Sequence, residues 1–84
     1  MGYAIVKTTK YIEGQDAGNY HCHVIGVYHN RKVAMVAFSI AIESECDAQH
    51  TTFNKDEIDD EDPAYIIQSD EADITFFIQQ TEVI

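Results

Sequence analysis

The sequence predicts a small, mainly β domain that spans residues 1–84 as one unit. Several short segments alternate large apolar residues with small or polar ones and are rich in β-branched and aromatic side chains, a pattern typical of strands. Clusters of turn-forming residues separate these segments. We therefore expect a small antiparallel sheet of about five strands, curled or barrel-like, with an α+β domain as the alternative.

The first two strands are predicted in the N-terminal third of the chain. Residues 3–9 alternate and are rich in β-branched side chains, so they predict a strand. Residues 13–18 form a turn cluster. Residues 19–29 predict a second strand. Residues 29–32 then predict a hairpin turn, because Asn30 tolerates a positive φ.

Residues 33–46 fit either a strand or a helix. The apolar stretch at 33–37 could begin a helix. A period of two runs through the segment, however, and favours a third strand with large residues on one face and small or acidic residues on the other. A more helical course over 44–61 stays open, because Ser44 and Asp47 could cap a short helix. The predicted large face contains Val36, Phe38, Ile40 and Ile42.

A short helix is predicted near residues 55–61. Asn54 can serve as its N-cap, and Glu57 at the third helical position completes a capping box. Phe53 and Ile58 occupy the two positions of a hydrophobic staple. The helix should end before the single proline of the chain.

The C-terminal segments 64–69 and 72–83 predict a second hairpin. A two-residue loop at Asp70 and Glu71 fixes the register between the two strands. In that register apolar residues face one another across the pair, which stabilises the sheet. The predicted pairs are Ile67 with Ile74 and Tyr65 with Phe76.

Charge is distributed unevenly along the chain. Residues 1–42 contain two acids and four bases, for a net charge of +2. Residues 43–84 contain thirteen acids and one base, for a net charge of −12, and the two halves together give −10. An acidic half of this kind repels nucleic acid and anionic membranes and attracts basic protein surfaces. Solubility, or a salt-rich intracellular milieu, would explain the same charge without a partner.

The acids fall into three patches that could form a docking surface. On a strand, Glu43, Glu45 and Asp47 would make an outward row about 7 Å apart, a spacing close to that of phosphates along a nucleic-acid strand. Aromatic residues would supply anchors, and the exposed candidates are Tyr11, Tyr65 and Phe53. Any acidic strand gives such a row, so the alternative is a merely solvated face. The predicted partner-binding residues are Glu43, Glu45, Asp47, Asp56, Glu57, Asp59, Asp60, Glu61, Asp62, Asp70, Glu71, Asp73, Tyr65 and Phe53.

A metal site is a weaker hypothesis. On a strand His21, His23 and His29 share a face, and the imidazoles of the first two can point at one metal ion. A third ligand would have to come from His50 or from an acid of the third strand. Histidines at this spacing are more often surface residues. The acidic run at 56–62 lacks the EF-hand spacing, so we expect no specific calcium site and no cofactor.

The two cysteines do not predict catalysis. A nucleophilic cysteine needs a lowered pKa and an orienting base. On a strand the side chain of Cys22 points away from the neighbouring histidines, and the acids beside Cys46 would raise its pKa. The sequence also contains no glycine-rich phosphate loop, no Ser-His-Asp order and no CxxC pair. We therefore expect a protein that is not an enzyme.

The leading hypothesis is a small inhibitor that docks its acidic half on the basic, nucleic-acid-binding surface of a protein partner. In size, acidity and lack of a catalytic motif, the chain is similar to phage-encoded antagonists such as DNA mimics and anti-CRISPR or anti-restriction proteins. We expect no direct contact with nucleic acid or membrane, and a cytoplasmic location, because no secretion signal or membrane span is evident. The alternatives are an assembly module that self-associates, as a homodimer or with a larger protein, and a metal-binding domain using His21 and His23.

Overall fold

Four antiparallel strands form one open sheet, and a single long helix covers one of its faces. The computed structural model describes residues 2–15 and 17–81. The strand order in the sheet is β2-β1-β4-β3, which leaves β2 and β3 at the edges. The predicted mainly β class is confirmed, with four strands in place of about five and with a sheet that does not close. The elements are β1 (Gly2–Tyr11), β2 (Tyr20–Tyr28), α1 (Arg31–Ala48), β3 (Ala64–Gln68) and β4 (Ala72–Thr81).

The N-terminal hairpin confirms the first two predicted strands and the turn between them. The Gly18 N–H donates to the Tyr11 carbonyl at 2.7 Å, and Gly18 has a φ of 88°, a conformation that glycine adopts without strain. The register between β1 and β2 shifts after Ile5, so that Ile25 is an extra residue, a β-bulge. The bulge interrupts the alternation on which a common face for His21, His23 and His29 depended.

The predicted third strand at 33–46 is wrong, because α1 occupies Arg31–Ala48. The predicted hairpin turn at 29–32 is wrong for the same reason. The Asn30 side chain caps the helix by accepting hydrogen bonds from the N–H groups of Lys32 at 2.8 Å and Val33 at 3.3 Å. The buried residues recur every fourth position, which places one stripe of the helix against the sheet. These residues are Ala34, Phe38, Ile42 and Cys46.

The connection from α1 to β3 contains a single 3-10 turn at Lys55–Glu57, shorter than the predicted helix at 55–61. The Asn54 side chain accepts a hydrogen bond from the Asp56 N–H at 3.2 Å, which confirms Asn54 as the N-cap. The capping box is only half formed, because the Asn54 N–H donates to the Tyr65 hydroxyl at 3.0 Å. The α+β alternative placed its helix at 44–61, whereas the long helix ends at Ala48.

The C-terminal hairpin has the predicted register. The Ser69 N–H donates to the Ala72 carbonyl at 3.0 Å and closes a loop of two residues, Asp70 and Glu71. The predicted strand at 72–83 is confirmed as far as Thr81, and its last two positions lie outside the described residues. The observed cross-strand pairs are Ile67 with Ile74 and Tyr65 with Phe76.

The hydrophobic core lies between α1 and one face of the sheet. Phe38 and Ile42 of α1 pack there against Ile5, Ile74 and Phe76 of the central strands, and all five are at most 3% exposed. The opposite face of the sheet has no helix over it in the described part of the chain. Within residues 2–15 and 17–81, no helix is long and apolar enough to cross a membrane.

Candidate functional site

The acidic residues of α1 do not form the predicted row. Residues two apart in a helix point in roughly opposite directions, so Glu43, Glu45 and Asp47 cannot share a face as they would on a strand. Glu45 faces the sheet, where its carboxylate lies 3.4 Å from the Lys7 ammonium. Glu43 and Asp47 lie one turn apart and are both exposed. The predicted strand-like spacing of carboxylates is therefore wrong.

Acidic residues of two loops come together at the end of the molecule where α1 stops. Gln49, which directly follows α1, lines a surface depression with Asp70 and Glu71 of the β3–β4 loop. The Ile12 N–H donates to the Glu71 carbonyl at 2.8 Å and so joins the β1–β2 loop to the same place. Glu13 lines an adjacent depression with Glu71. Asp47, in the last turn of α1, precedes Gln49 by two residues. We call Glu13, Asp70 and Glu71, together with Asp47, the acidic end.

The carboxylates of the acidic end are exposed and form no ion pair with another described residue. All four members are exposed. Across residues 2–15 and 17–81, a single ion pair is formed, between Lys7 and Glu45. Asp73 differs from the members of the acidic end, because it is half-buried within β4, opposite Lys10 of β1. The acidic end is therefore a concentration of uncompensated negative charge.

The acidic loop at 56–62 lies beside the N-terminal half of α1, where Asp60 lines a depression with Val36 and Ile40. The Arg31 guanidinium, in the first turn of α1, donates to the Asp60 carbonyl. Arg31 and Asp47 are sixteen positions apart, which corresponds to about 24 Å along a helix. The three predicted patches thus form two separate groups. The exposed acids of the loop are Asp56, Glu57, Asp59, Asp60, Glu61 and Asp62.

The predicted aromatic anchors are buried or half-buried. Tyr65 is only 6% exposed. Its ring meets that of half-buried Phe53 edge to face, with 5.5 Å between centroids, and its hydroxyl accepts the hydrogen bond from Asn54. Tyr11 is half-buried, and its ring lies edge-on to that of His21 at 5.6 Å. The proposal of Tyr65 as an exposed anchor is therefore wrong.

Exposed apolar residues lie instead on the outward side of α1. Val33, Val36 and Ile40 are 51%, 61% and 61% exposed. Their spacing of three and then four residues places them in one line along the helix, and Glu43 and Asp47 continue that line at the same spacing. We call Val33, Val36 and Ile40 the apolar stripe. The helical period of the sequence contained this signal, but the strand interpretation concealed it.

His21 and His23 share one side of β2, as predicted. Their rings are nearly parallel, with 8° between planes and 6.4 Å between centroids. Both side chains are exposed. Among the described residues, no group of three or more His, Cys, Asp or Glu side chains could hold a metal ion, so the suggested third ligand from His50 or an acid is not in place.

The two cysteines differ in exposure. Cys22 lies exposed on β2, whereas Cys46 is buried on the side of α1 that faces the sheet. Burial, followed by the charges of Asp47 and Glu45, raises the pKa of the Cys46 thiol. The predicted direction of this pKa shift is confirmed, with burial as the larger cause. A thiol held in its neutral form is a poor nucleophile.

The comparisons with known proteins give no relative. The chain matches no protein-family model, no curated protein and no solved structure. The function is therefore inferred from the exposed surfaces of the protein.

Proposed function

We propose that this protein is a non-enzymatic inhibitor that docks its acidic end on a basic surface of a protein partner and blocks a nucleic-acid-binding site there. The observation that carries the proposal is the acidic end, where Glu13, Asp70 and Glu71 line adjoining depressions beside Gln49, two residues after Asp47. All four acids are exposed and form no ion pair with another described residue. Nucleic-acid-binding grooves cluster Lys and Arg residues and so present the positive charge that an acidic surface would meet.

The charges of α1 support a role outside the protein's own stability. A helix is stabilised by acids in its first turn and bases in its last turn, because its dipole is positive at the N-terminus and negative at the C-terminus. In α1 the first turn contains Arg31 and Lys32 and no acid, and the last turn contains Glu45 and Asp47 and no base. This order opposes the dipole at both ends. A basic partner surface at the C-terminal end of α1 would compensate for it.

The apolar stripe supplies contacts that would slow dissociation of the docked complex. Charge attraction speeds the encounter between partners, whereas buried apolar contacts lower the rate of dissociation. Val36 and Ile40 are each 61% exposed and lie on the same outward side of α1 as Asp47. A partner that binds the acidic end can therefore cover the stripe as well, as amphipathic helices do when they lie in a groove.

The first experiment identifies the partner. The tagged protein is incubated with nuclease-treated lysate of its source organism, washed at low and then high salt, and the retained proteins are identified by mass spectrometry. We expect one nucleic-acid-binding protein to survive the high-salt wash in stoichiometric amount. Many basic proteins that all wash off would show that the charge is generic and would contradict the proposal.

The second experiment tests the acidic end against a matched control. The variant Asp47→Asn/Asp70→Asn/Glu71→Gln loses three negative charges from the acidic end. The control Asp56→Asn/Asp59→Asn/Asp62→Asn loses three from the acidic loop beside the N-terminal half of α1. With the identified partner, we expect association of the first variant to be at least about tenfold slower at low salt and less dependent on salt. Equal association rates for the two variants would exclude the acidic end as the docking surface.

Assembly is the second candidate function, and β2 is the observation that favours it. This edge strand is nine residues long and contains no charged residue. Tyr20, Val24 and Val27 expose 62%, 61% and 50% of their surface on it. Long apolar edge strands pair readily with other chains. Oligomers that persist at high salt in sedimentation would support assembly, whereas a monomer at all salt concentrations, both with and without added Zn²⁺, would exclude it.

A further inference from the structure

We propose that two copies of this chain pair through β2 and together hold one transition-metal ion, for which Zn²⁺ is the test case, on His21 and His23 of both copies. This inference rests on the second candidate function, assembly through β2, and is independent of the acidic end. The two imidazoles are exposed on one side of the strand, with 6.4 Å between their centroids. Zn²⁺ takes four ligands in tetrahedral arrangement. One copy offers two, because the described residues contain no cluster of three ligands.

The regular part of β2 is symmetric in chemical character. Before the bulge at Ile25, the strand reads Tyr20-His21-Cys22-His23-Val24, which is nearly palindromic about Cys22. The outer edge of this strand pairs with no other strand in the described part of the chain. A twofold axis through Cys22 would pair two such edges antiparallel, so that residue i of one copy contacts residue j of the other and j contacts i.

This register brings four imidazoles together. His21 of each copy lies opposite His23 of the other, on the same side of the joined sheet. Directly opposite residues have Cβ atoms about 4.5–5.5 Å apart, and residues two apart along a strand are separated by about 7 Å. Exposed side chains change rotamer within nanoseconds, so the four rings can tilt towards one ion at about 2.0–2.1 Å from each nitrogen. Neutral imidazole suits zinc, copper and nickel.

The other side of the joined sheet supports the same register. Tyr20 and Val24, 62% and 61% exposed in one copy, would lie opposite Val24 and Tyr20 of the second copy. Aromatic residues opposite β-branched residues are favourable cross-strand pairs. Cys22 of each copy would meet its counterpart at the twofold axis. Both sides of the strand thus match in one register.

The charge distribution favours this edge for self-association. A chain of net charge −10 repels a second copy over most of its surface. β2 contains no Asp, Glu, Lys or Arg residue. The residue opposite His23 on β1 is Lys7, and its ammonium is paired with the Glu45 carboxylate at 3.4 Å. Two copies can therefore approach along β2 without like-charge contact.

Zinc titration with mass measurement tests the proposal. Adding ZnCl₂ to the reduced protein should convert the chain of 9.5 kDa into a dimer with one Zn²⁺ per two chains, by sedimentation and calorimetry. His21→Ala/His23→Ala should remain monomeric and lose more than the roughly 10- to 100-fold in affinity that the loss of a supporting group costs a metal site. The control His29→Ala should behave as wild type. Circular dichroism verifies that each variant is folded.

Two outcomes would overturn the metal site. A dimer that forms equally well without zinc, or with the double variant, would leave assembly standing and exclude the metal. One Zn²⁺ bound per monomer would exclude the twofold arrangement.

A disulfide cross-link tests the register. If Cys22 lies on the twofold axis, the Cα atoms of Cys22 in the two copies lie within the roughly 4.4–6.8 Å that a disulfide spans. Diamide, by accepting two hydrogens from the two thiols, should then form a Cys22–Cys22 cross-link more than about tenfold faster with zinc than without. Cys22→Ser should abolish the cross-link. A rate that zinc leaves unchanged would contradict the pairing about Cys22.

Discussion

Replacing Asp47 with lysine is expected to stabilise the protein. Asp47 lies in the last turn of α1, where its charge opposes the negative end of the helix dipole. A single charge near a helix end contributes about 0.3–1 kcal/mol, and the lower half of this range applies to an exposed side chain. The substitution removes an unfavourable charge and adds a favourable one, so the free energy of unfolding should rise by about 0.6–1.3 kcal/mol. For a domain of this size the melting temperature should rise by about 2–10 °C.

Two further variants separate the dipole from other effects. Glu43→Lys changes the net charge by the same amount but lies one turn earlier in α1, so it controls for general charge repulsion. Lysine is also a better helix former than aspartate, whereas asparagine is not. Asp47→Asn should therefore give about half of the gain from the charge alone.

Thermal unfolding followed by circular dichroism measures all three variants at low salt and at 1 M salt. High salt shortens the Debye length to about 3 Å and should remove most of the difference between Asp47→Lys and Glu43→Lys. Equal melting temperatures for these two variants at low salt would refute the dipole argument. A stabilised Asp47→Lys that also associates more slowly with the partner would show that the wild-type charge serves binding at a cost in stability.

Two predictions concern the buried side of the molecule. Tyr65→Phe removes the acceptor of the Asn54 N–H and is expected to cost about 0.5–1.5 kcal/mol in urea unfolding, because this hydrogen bond is partly buried. Tyr20→Phe on the exposed strand should cost nothing measurable, and equal losses would contradict the role of the hydrogen bond. Because burial raises the pKa of the Cys46 thiol, folded protein keeps a proton that unfolded protein releases, so stability should fall as the pH rises above about 8.5. The slope should be smaller in Cys46→Ala, and iodoacetamide at pH 8 should label exposed Cys22 first; equal labelling or equal slopes would contradict the burial of the thiol.

The parts of the fold that sequence reasoning predicted correctly depend on local signals. The C-terminal hairpin is the clearest case, because a two-residue loop fixes register, and the predicted pair of Ile67 with Ile74 is observed. The cap at Asn54 is also local, since its side chain accepts from the Asp56 N–H two residues away. The capping box was only half right, because the Asn54 N–H found the Tyr65 hydroxyl, a partner eleven residues away.

The helix was missed because its sequence satisfies two periods at once. Phe38 and Ile42 are four apart, so they share a face in a strand and in a helix alike. Val36 and Ile40 completed the strand pattern, yet each is 61% exposed in the structure. Asn30 added to the ambiguity, because asparagine suits both a hairpin turn and a helix N-cap. Tertiary burial, which the sequence does not display, decides between the two.

Val36 and Ile40, which completed the mistaken strand pattern, do not belong to the hydrophobic core. The buried stripe of α1 stabilises the fold by removing apolar surface from water. Val36 and Ile40 are 61% exposed, so their side chains contribute little to the free energy of folding. The same helix holds Asp47 against its own dipole. Both features depart from what stability favours, and both lie on one outward side of α1. Local departures of this kind concentrate at functional surfaces, so the outward side of α1 is where a partner's groove should be sought first.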